Sequence, residues 1–227
     1  MTIRQIAHNF SSDLRRVPSM AFAILVLSVV SMNLLANREL FHVSWLALDC
    51  GYAISWIPFI IMDCVCRAFG GRTAFRLSLL AIIINLVTFL VFKLLMLTPG
   101  MWGEYYITSS MVVNGSLNAT IGGSTWIVLG SAFAMCLGSA VNSAVNVSVG
   151  RLFRRDNYAV FAIRSFSSTA LSQFVDNFAF TLIVSVPLFG WTILQSVCCA
   201  LAGAALELIL EILFSRLGYR LSRRWIK

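Results

Sequence analysis

The sequence predicts an all-α fold, a polytopic membrane protein built as a six-transmembrane-helix bundle with both termini cytoplasmic. Three observations carry that prediction: composition, unbroken apolar runs, and the placement of basic residues. Of the 227 residues, 59% are apolar and only 11% charged, against about 45–50% and about 25% in soluble domains. A water-exposed surface needs roughly 25–35% Asp, Glu, Lys and Arg, which this chain lacks. A soluble enzyme, a secreted disulfide scaffold and a disordered regulator are therefore excluded. The apolar runs show no two-residue dyad, so an outer-membrane barrel is excluded as well.

A bilayer core about 30 Å thick needs roughly 20 apolar residues per helix. Six segments qualify, at about 18–37, 45–66, 74–97, 126–150, 163–186 and 191–214. They follow a cytoplasmic N-terminal arm over 1–17, and the whole of 1–227 reads as a single integral membrane domain. The first run lacks a small-residue cleavage site and further spans follow, which makes it a helix rather than a signal peptide. Trp45, Trp102, Trp126, Trp191 and Trp225 fall near span ends, as an interfacial aromatic belt requires. Gly70-Gly71 supplies the stop after span two. Between spans three and four, 101–106 reads as an interfacial segment and the glycine-rich stretch over 114–124 as either an external cap or a plain linker. No internal repeat is visible.

Direction comes from the positive charges. The net charge is +8, from 17 Lys+Arg and 9 Asp+Glu. Arg4, Arg15 and Arg16 lie on the N-terminal arm, and Arg67, Arg72 and Arg76 follow span two. Arg151, Arg154, Arg155 and Arg164 follow span four, and Arg216, Arg220, Arg223, Arg224 and Lys227 form the tail. The alternate connections hold only Arg38 and Lys93. This alternation assigns both termini to the cytoplasm and fits a bacterial inner membrane. It also accounts for the basic balance without nucleic acid, which is not expected as a partner.

Function in such a bundle is sought where the chain puts groups that hydrocarbon cannot solvate, because these face a cavity or a partner. In span five Ser165, Ser168/Thr169, Ser172 and Asp176 form one helical stripe, with Gln173 and Asn177 on its shoulder. Asp176 lies about 18 Å inside at 1.5 Å per residue, near the midplane. The hydroxyls suit close helix packing; the acid beside an amide points to a ligand. Asp63 and Arg67, four residues apart in span two, can form a structural ion pair, with a ligand role for Asp63 left open. Span six carries Glu207 and Glu211 on one face. Glu207 is open to three roles: accepting a ligand donor, carrying a coupling proton or neutralising an arginine. Glu211 reads as a satisfied charge near Arg216 at the membrane rim. Asn142 and Asn146 sit in span four beside a small-residue stripe at Gly130, Ala134 and Gly138, and read as interhelical hydrogen bonds. Asn33 and Asn37 lie near the outer end of span one, and Asn85 lies in span three.

No catalytic centre is legible. His8 and His42 lie outside the spans, so no histidine-based metal or nucleophile site forms at depth. With no strands expected, no phosphate loop follows one, and the chain has no ATPase of its own. Cys50, Cys64, Cys66, Cys136, Cys198 and Cys199 read as small hydrophobes, since Cys64/Cys66 lack metal or redox spacing. Neither cofactor nor metal is expected. The inventory is a chamber of carboxylate, amide, hydroxyl and aromatic groups, suited to a small, flat, polar solute.

Three segments in fixed order carry a resemblance. They are Asn33-Leu34-Leu35-Ala36-Asn37, Asp63-Cys64-Val65-Cys66-Arg67-Ala68-Phe69-Gly70-Gly71-Arg72, and the span-five run from Arg164 to Asn177. Together they resemble the bacterial queuosine-precursor transporters, the vitamin-uptake-transporter-like family, over about residues 18 to 215. The span-five run is the most specific part. Two departures stand out: many members have Glu where Arg67 stands, and span four usually carries an Asp where Asn142 or Asn146 stands here. The resemblance implies uptake of 7-cyano- or 7-aminomethyl-7-deazaguanine, without a separate energising ATPase module. A deazaguanine presents adjacent N–H and NH₂ donors that one carboxylate accepts as a pair. Asp176 is the first choice for that role, with Asn177 and Gln173 reading the carbonyl edge and Ser172, Asn33 and Asn37 contributing. Asp63 or Glu207 is the alternative seat for an aminomethyl cation, and Phe178, Phe180 and Trp56 are candidate stacking walls.

Three readings remain in view. The first is an inner-membrane transporter for a queuosine precursor or similar planar solute. The second is the substrate-capture subunit of an energy-coupling-factor vitamin transporter, which alone requires an ATPase partner. The third is a membrane scaffold or assembly protein. The expected partners are the small solute and membrane lipid, with homo-oligomerisation left open.

Overall fold

The computed structural model describes residues 10, 12–98, 115–116, 118–120, 125–153 and 157–226. The helices are α1 (Ser19–Leu35), α2 (Tyr52–Phe69), α3 (Gly71–Leu95), α4 (Thr125–Gly150), α5 (Tyr158–Phe180) and α6 (Ile193–Trp225). Five of them, counting α5 with its continuation, are long and apolar enough to cross a membrane, and α1 is a shorter apolar helix of 17 residues. At 1.5 Å per residue α1 reaches about 26 Å, a few ångströms short of a hydrocarbon core. The expected interfacial segment at 101–106 and most of 114–124 fall outside the described residues, as do Arg4, His8, Arg154, Arg155 and Lys227.

The burial pattern inverts that of a soluble protein. Leu90, Leu94, Leu129, Phe133, Leu201, Ile209, Leu213 and Leu217 are exposed, while Gln173, Glu207 and Glu211 are among the largest fully buried side chains. Exposed apolar faces on this scale belong against lipid. The polar side chains are turned inward because hydrocarbon offers them no hydrogen bonds.

Helix α2 is the central rod. Every residue from Pro58 to Cys66 is buried, so it is enclosed on all faces, as a helix apolar all round must be. On one side Ile61 and Val65 join Leu25 and Val29 of α1, Leu77 and Ala81 of α3 and Met135 of α4 in a dry core. On the other side α2 faces α4, α5 and α6 across a seam that holds most of the buried carboxyl, amide and hydroxyl groups. Gly70, at φ +91°, turns the chain directly from α2 into α3. A side chain there would be strained, which explains why a single residue suffices for this connection.

The structure corrects the sequence reading at three places. Strands are present: β1 (Glu39–Val43) and β2 (Leu46–Asp49) form an antiparallel hairpin between α1 and α2. Span two therefore starts at Tyr52 rather than near Trp45. The apolar residues Leu46, Ala47 and Leu48 of β2 lead almost directly into the apolar run of α2, so the sequence shows no boundary between them. The hairpin is tied to the start of α6 by Gln195 Nε2 donating to Ser44 O at 2.7 Å and by Ala47 N–H pointing at Cys199 Sγ at 3.4 Å. Second, α5 begins at Tyr158, capped by Asn157, whose side chain accepts from Val160 N–H, and past Phe180 it widens into a π-helical turn, Thr181–Ser185. The indole of Trp126 donates to Ile183 O at 3.0 Å within that turn. Third, α6 continues to Trp225, because its basic last turns remain good helix formers once outside the apolar run.

Helices α4 and α5 pack closely along the small-residue stripe. A Cβ at Gly138 would lie 2.9 Å from Asp176 Cβ and 3.2 Å from Ser172 O, so glycine sets how near Asp176 approaches α4. Gly138→Val must push α5 away; a loss of about 1–3 kcal/mol is expected, read as a lowered thermal unfolding midpoint in detergent.

Candidate functional site

The polar seam divides into an open pocket near the hairpin and a closed cluster deeper in the bundle. The pocket, about 70 Å³, is lined by Asn33 and Ala36 of α1, Asp49 of β2, Tyr52 and Ser55 of α2, Ser131 and Ala134 of α4, Asp176, Asn177 and Phe180 of α5 and Glu207 of α6. It is continuous with a wider vestibule of about 570 Å³ under the hairpin; Ala36, Asp49, Tyr52 and Phe180 line both. Asn37, Glu39, His42 and Thr181 line the vestibule only. A wide mouth narrowing onto a few polar groups is the usual form of a small-molecule site.

Glu207 is fully buried and held on both oxygens: the Ser55 hydroxyl bonds Oε1, and Asn177 Nδ2 donates to Oε2 at 3.1 Å. Asp176 differs. Half-buried at the pocket floor, it has no hydrogen bond or ion pair among the described residues. An unpaired carboxylate at this depth is costly in an apolar surround. The Asn33 amide donates to Val29 O at 2.9 Å, and the residue lines the pocket. At the mouth, burial lifts the Asp49 carboxyl to about 6, with the Gly51 N–H, 2.7 Å from Oδ1, pulling it back down.

The deeper cluster centres on Asp63. Its Oδ1 accepts from Asn142 Nδ2 at 2.8 Å, Asn146 Nδ2 at 3.0 Å and Ser168 Oγ at 3.3 Å, and its Oδ2 meets Ser165 Oγ at 2.6 Å. The same Ser165 hydroxyl also bonds Glu211 Oε1. Asn146 Oδ1 in turn accepts from Arg164 Nη2 at 2.8 Å and Nε at 3.2 Å. Four helices thus converge on one carboxylate.

Of the residues singled out from sequence, Asp176, Asn177, Glu207 and Asn33 meet at the pocket, and Asn37 lies at its vestibule. Asp63, Ser172 and Gln173 do not line it. Ser172 reaches Asn142 Oδ1 at 3.4 Å, and Gln173 is fully buried. The expected Asp63–Arg67 ion pair is replaced. Asp63 turns to α4 and α5, while Arg67 donates to Ser222 Oγ at 2.7 Å and lies 4.3 Å over the Tyr219 ring. Helical spacing permitted the pair, but the amides of α4 bring donors closer. Glu211 is not a rim charge, since α6 runs on well past it and buries it fully. Phe180 is a pocket wall, whereas Trp56 stacks on Phe214 at 4.3 Å and Phe178 on Phe174 at 5.7 Å. Sequence reasoning missed Tyr52, Ser55 and Asp49. Asp49 falls inside the predicted second span, 45–66, and only the hairpin brings it over the pocket.

This is the architecture of a multi-pass membrane protein with a polar pocket inside its helix bundle that opens into a wider vestibule. The family described as "Putative vitamin uptake transporter" matches residues 49–222, and the chain belongs to that family, whose function is membrane transport of a vitamin-like solute. The match begins at Asp49 and takes in both the pocket floor and the Asp63 cluster. No curated protein and no solved structure matches the chain.

The bonding difference between the two aspartates is measurable. Asp63→Ala strands the donors of Asn142 and Asn146 and should cost at least about 2 kcal/mol, whereas Asp176→Ala should cost under about 1 kcal/mol; thermal unfolding in detergent compares them. For Asp49 the raised value means the folded state favours the neutral acid. Its contribution is complete below the ordinary carboxylate range and is lost as pH rises through about 6. Asp49→Asn keeps the acceptor for Gly51 and should gain stability relative to the native protein between about pH 4 and pH 7.

Proposed function

We propose that the protein is an inner-membrane uptake transporter for a queuosine precursor, 7-cyano- or 7-aminomethyl-7-deazaguanine, or a closely similar planar solute. It acts as one domain with six membrane spans and cytoplasmic termini. The observation that carries the proposal is Asp176, a carboxylate at the floor of an open polar pocket with no partner of its own among the described residues. A planar base bringing two adjacent N–H donors supplies the pair of charge-assisted bonds this carboxylate lacks. Phe180 offers its ring as a wall for stacking. Glu207, already on the floor, is the carboxylate nearest to hand for an aminomethyl cation, while Asp63 lies outside the pocket. The distribution of Arg and Lys supports the hairpin and vestibule facing outward, so that the pocket collects solute from outside.

Solute uptake by cells expressing the protein, in a host that makes no queuosine precursor and has no energy-coupling ATPase module, tests this reading. Transport-dependent restoration of the tRNA modification at low external deazaguanine is expected. Asp176→Ala should reduce that uptake by at least about 100-fold, the effect of losing roughly 2.7 kcal/mol of paired charge-assisted bonding, while membrane levels stay unchanged. Uptake only when an ATPase module is co-expressed would support the capture-subunit reading instead. Normal transport by Asp176→Ala would remove Asp176 from the binding role.

A further inference from the structure

The Asp63 cluster lies outside the solute pocket, and its bonding poses a question of hydrogen count. Ser165 carries one hydroxyl hydrogen, yet both of its contacts across the seam end on carboxyl oxygens, Asp63 Oδ2 and Glu211 Oε1. If Ser165 donates to one, it must accept from the other, and a carboxyl donates only when it holds a proton. Asp63 is assigned as the ionised member, because Asn142, Asn146 and Ser168 all aim donors at its other oxygen, whereas the other oxygen of Glu211 meets no donor among the described residues. The proton therefore belongs on Glu211, donated to Ser165 Oγ, with the Ser165 hydrogen passed on to Asp63 Oδ2.

A second feature points to traffic through this place. Gln173 is fully buried, and neither its amide nitrogen nor its amide oxygen has a partner among the described residues. It lies on α5 one turn from Thr169, which sits beside Glu211, and one turn from Asn177, which bonds Glu207 on the pocket floor. Glu207 and Glu211 are themselves one turn apart on α6. In the register of α5, Gln173 thus lies between the residue bonded to the pocket floor and the residue beside Glu211. A buried amide leaves both ends unpaired only at a cost.

We propose that the Asp63–Ser165–Glu211 triad binds the coupling ion of transport, and that this ion is a proton. The inference rests on the transport reading above and adds its energy source. With the proton on Glu211 the triad carries one negative charge, which the amides of α4 and, through Asn146, Arg164 accommodate. Moving the proton along the hydroxyl to Asp63 reverses the Ser165 bond and leaves Glu211 charged. Releasing it toward the cytoplasm leaves two adjacent carboxylates, an arrangement the site cannot hold while closed. Release therefore accompanies opening on the inner side, and binding accompanies opening toward the vestibule.

The other titratable groups around the triad are engaged elsewhere or lie beyond it. On α2, Cys64 donates to Gly218 O at 3.2 Å and Arg67 is held by Ser222; Cys66 lies beside Arg164. Helix α4 brings only amides and hydroxyls to this face. On α5, Arg164 reaches the triad only through Asn146, and Tyr158 bonds Ser215 at 2.9 Å. On α6, Glu207 lies one turn toward the pocket and Tyr219 lies under Arg67. Helices α1 and α3 pack on the dry side of α2, where Arg76 pairs with Asp13.

The purified protein in liposomes containing a pH-sensitive dye, given 7-cyano-7-deazaguanine outside, tests this. With the exterior more acidic by one pH unit, solute should accumulate up to about tenfold for one proton per neutral solute, and the interior should acidify on solute addition. Glu211→Gln should lose accumulation and acidification while still exchanging labelled for unlabelled solute. If Glu211→Gln neither accumulates nor exchanges, Glu211→Asp decides: a displaced pH profile of uptake supports the proposal, and an unchanged one overturns it. Native protein that accumulates solute without a pH gradient, or only with a sodium gradient, overturns it too, as does undiminished acidification by Glu211→Gln. Native protein that neither takes up nor exchanges the solute instead defeats the transport reading, so the two failures are told apart.

Discussion

Hydrocarbon gives a polar side chain nothing to bond, and this constraint organises the molecule. Each acid and amide that the sequence commits to a membrane helix must find its partners inside the bundle or face an enclosed polar space. The helices answer by segregating. One side of α2 is a dry seam of Leu, Val, Ile and Ala shared with α1 and α3, and the other is a polar seam shared with α4, α5 and α6. The dry side fixes α2, and the fixed α2 holds Ser55 and Asp63 at two levels of the polar side.

Those two levels treat their carboxylates in opposite ways. Asp63 is enclosed by donors from α4 and α5, so its charge is met by the protein itself. Asp176 is brought against α4 by Gly138 and faces the open pocket without a partner among the described residues. The contrast separates structure from recognition. A satisfied buried carboxylate holds helices together, whereas the proposed function gives the one beside the vestibule the solute as its partner. Membership of an uptake-transporter family and this division of labour lead to the same functional conclusion.

The extra-helical parts serve the same end. The hairpin between α1 and α2 is stitched to the start of α6 and roofs the vestibule, contributing Asp49 to the pocket mouth. The π-helical turn after Phe180 inserts one more residue per turn than the α-helix around it. Such turns recur where a helix must re-aim side chains at a site, and here Phe180 and Thr181 face the vestibule.

By itself, the sequence determined the class of fold, because mean composition and the length of apolar runs depend on the solvent and not on which helix touches which. It also determined most of the pocket floor: Asp176, Asn177 and Glu207 are costly in lipid wherever the helices lie, and cost is visible residue by residue. The tertiary structure decided the pairing. Periodicity placed Asp63 and Arg67 on one face of α2, yet partners come from whichever helix lies across that face. The arrival of Asn142 and Asn146 sent the two side chains apart. For the same reason Glu211 looked like a rim charge until the length of α6 and the position of Ser165 buried it, and Asp49, counted within the second span, reaches the pocket mouth only because the hairpin folds over it. A sequence records which groups need partners, but only packing in three dimensions says which partners they get.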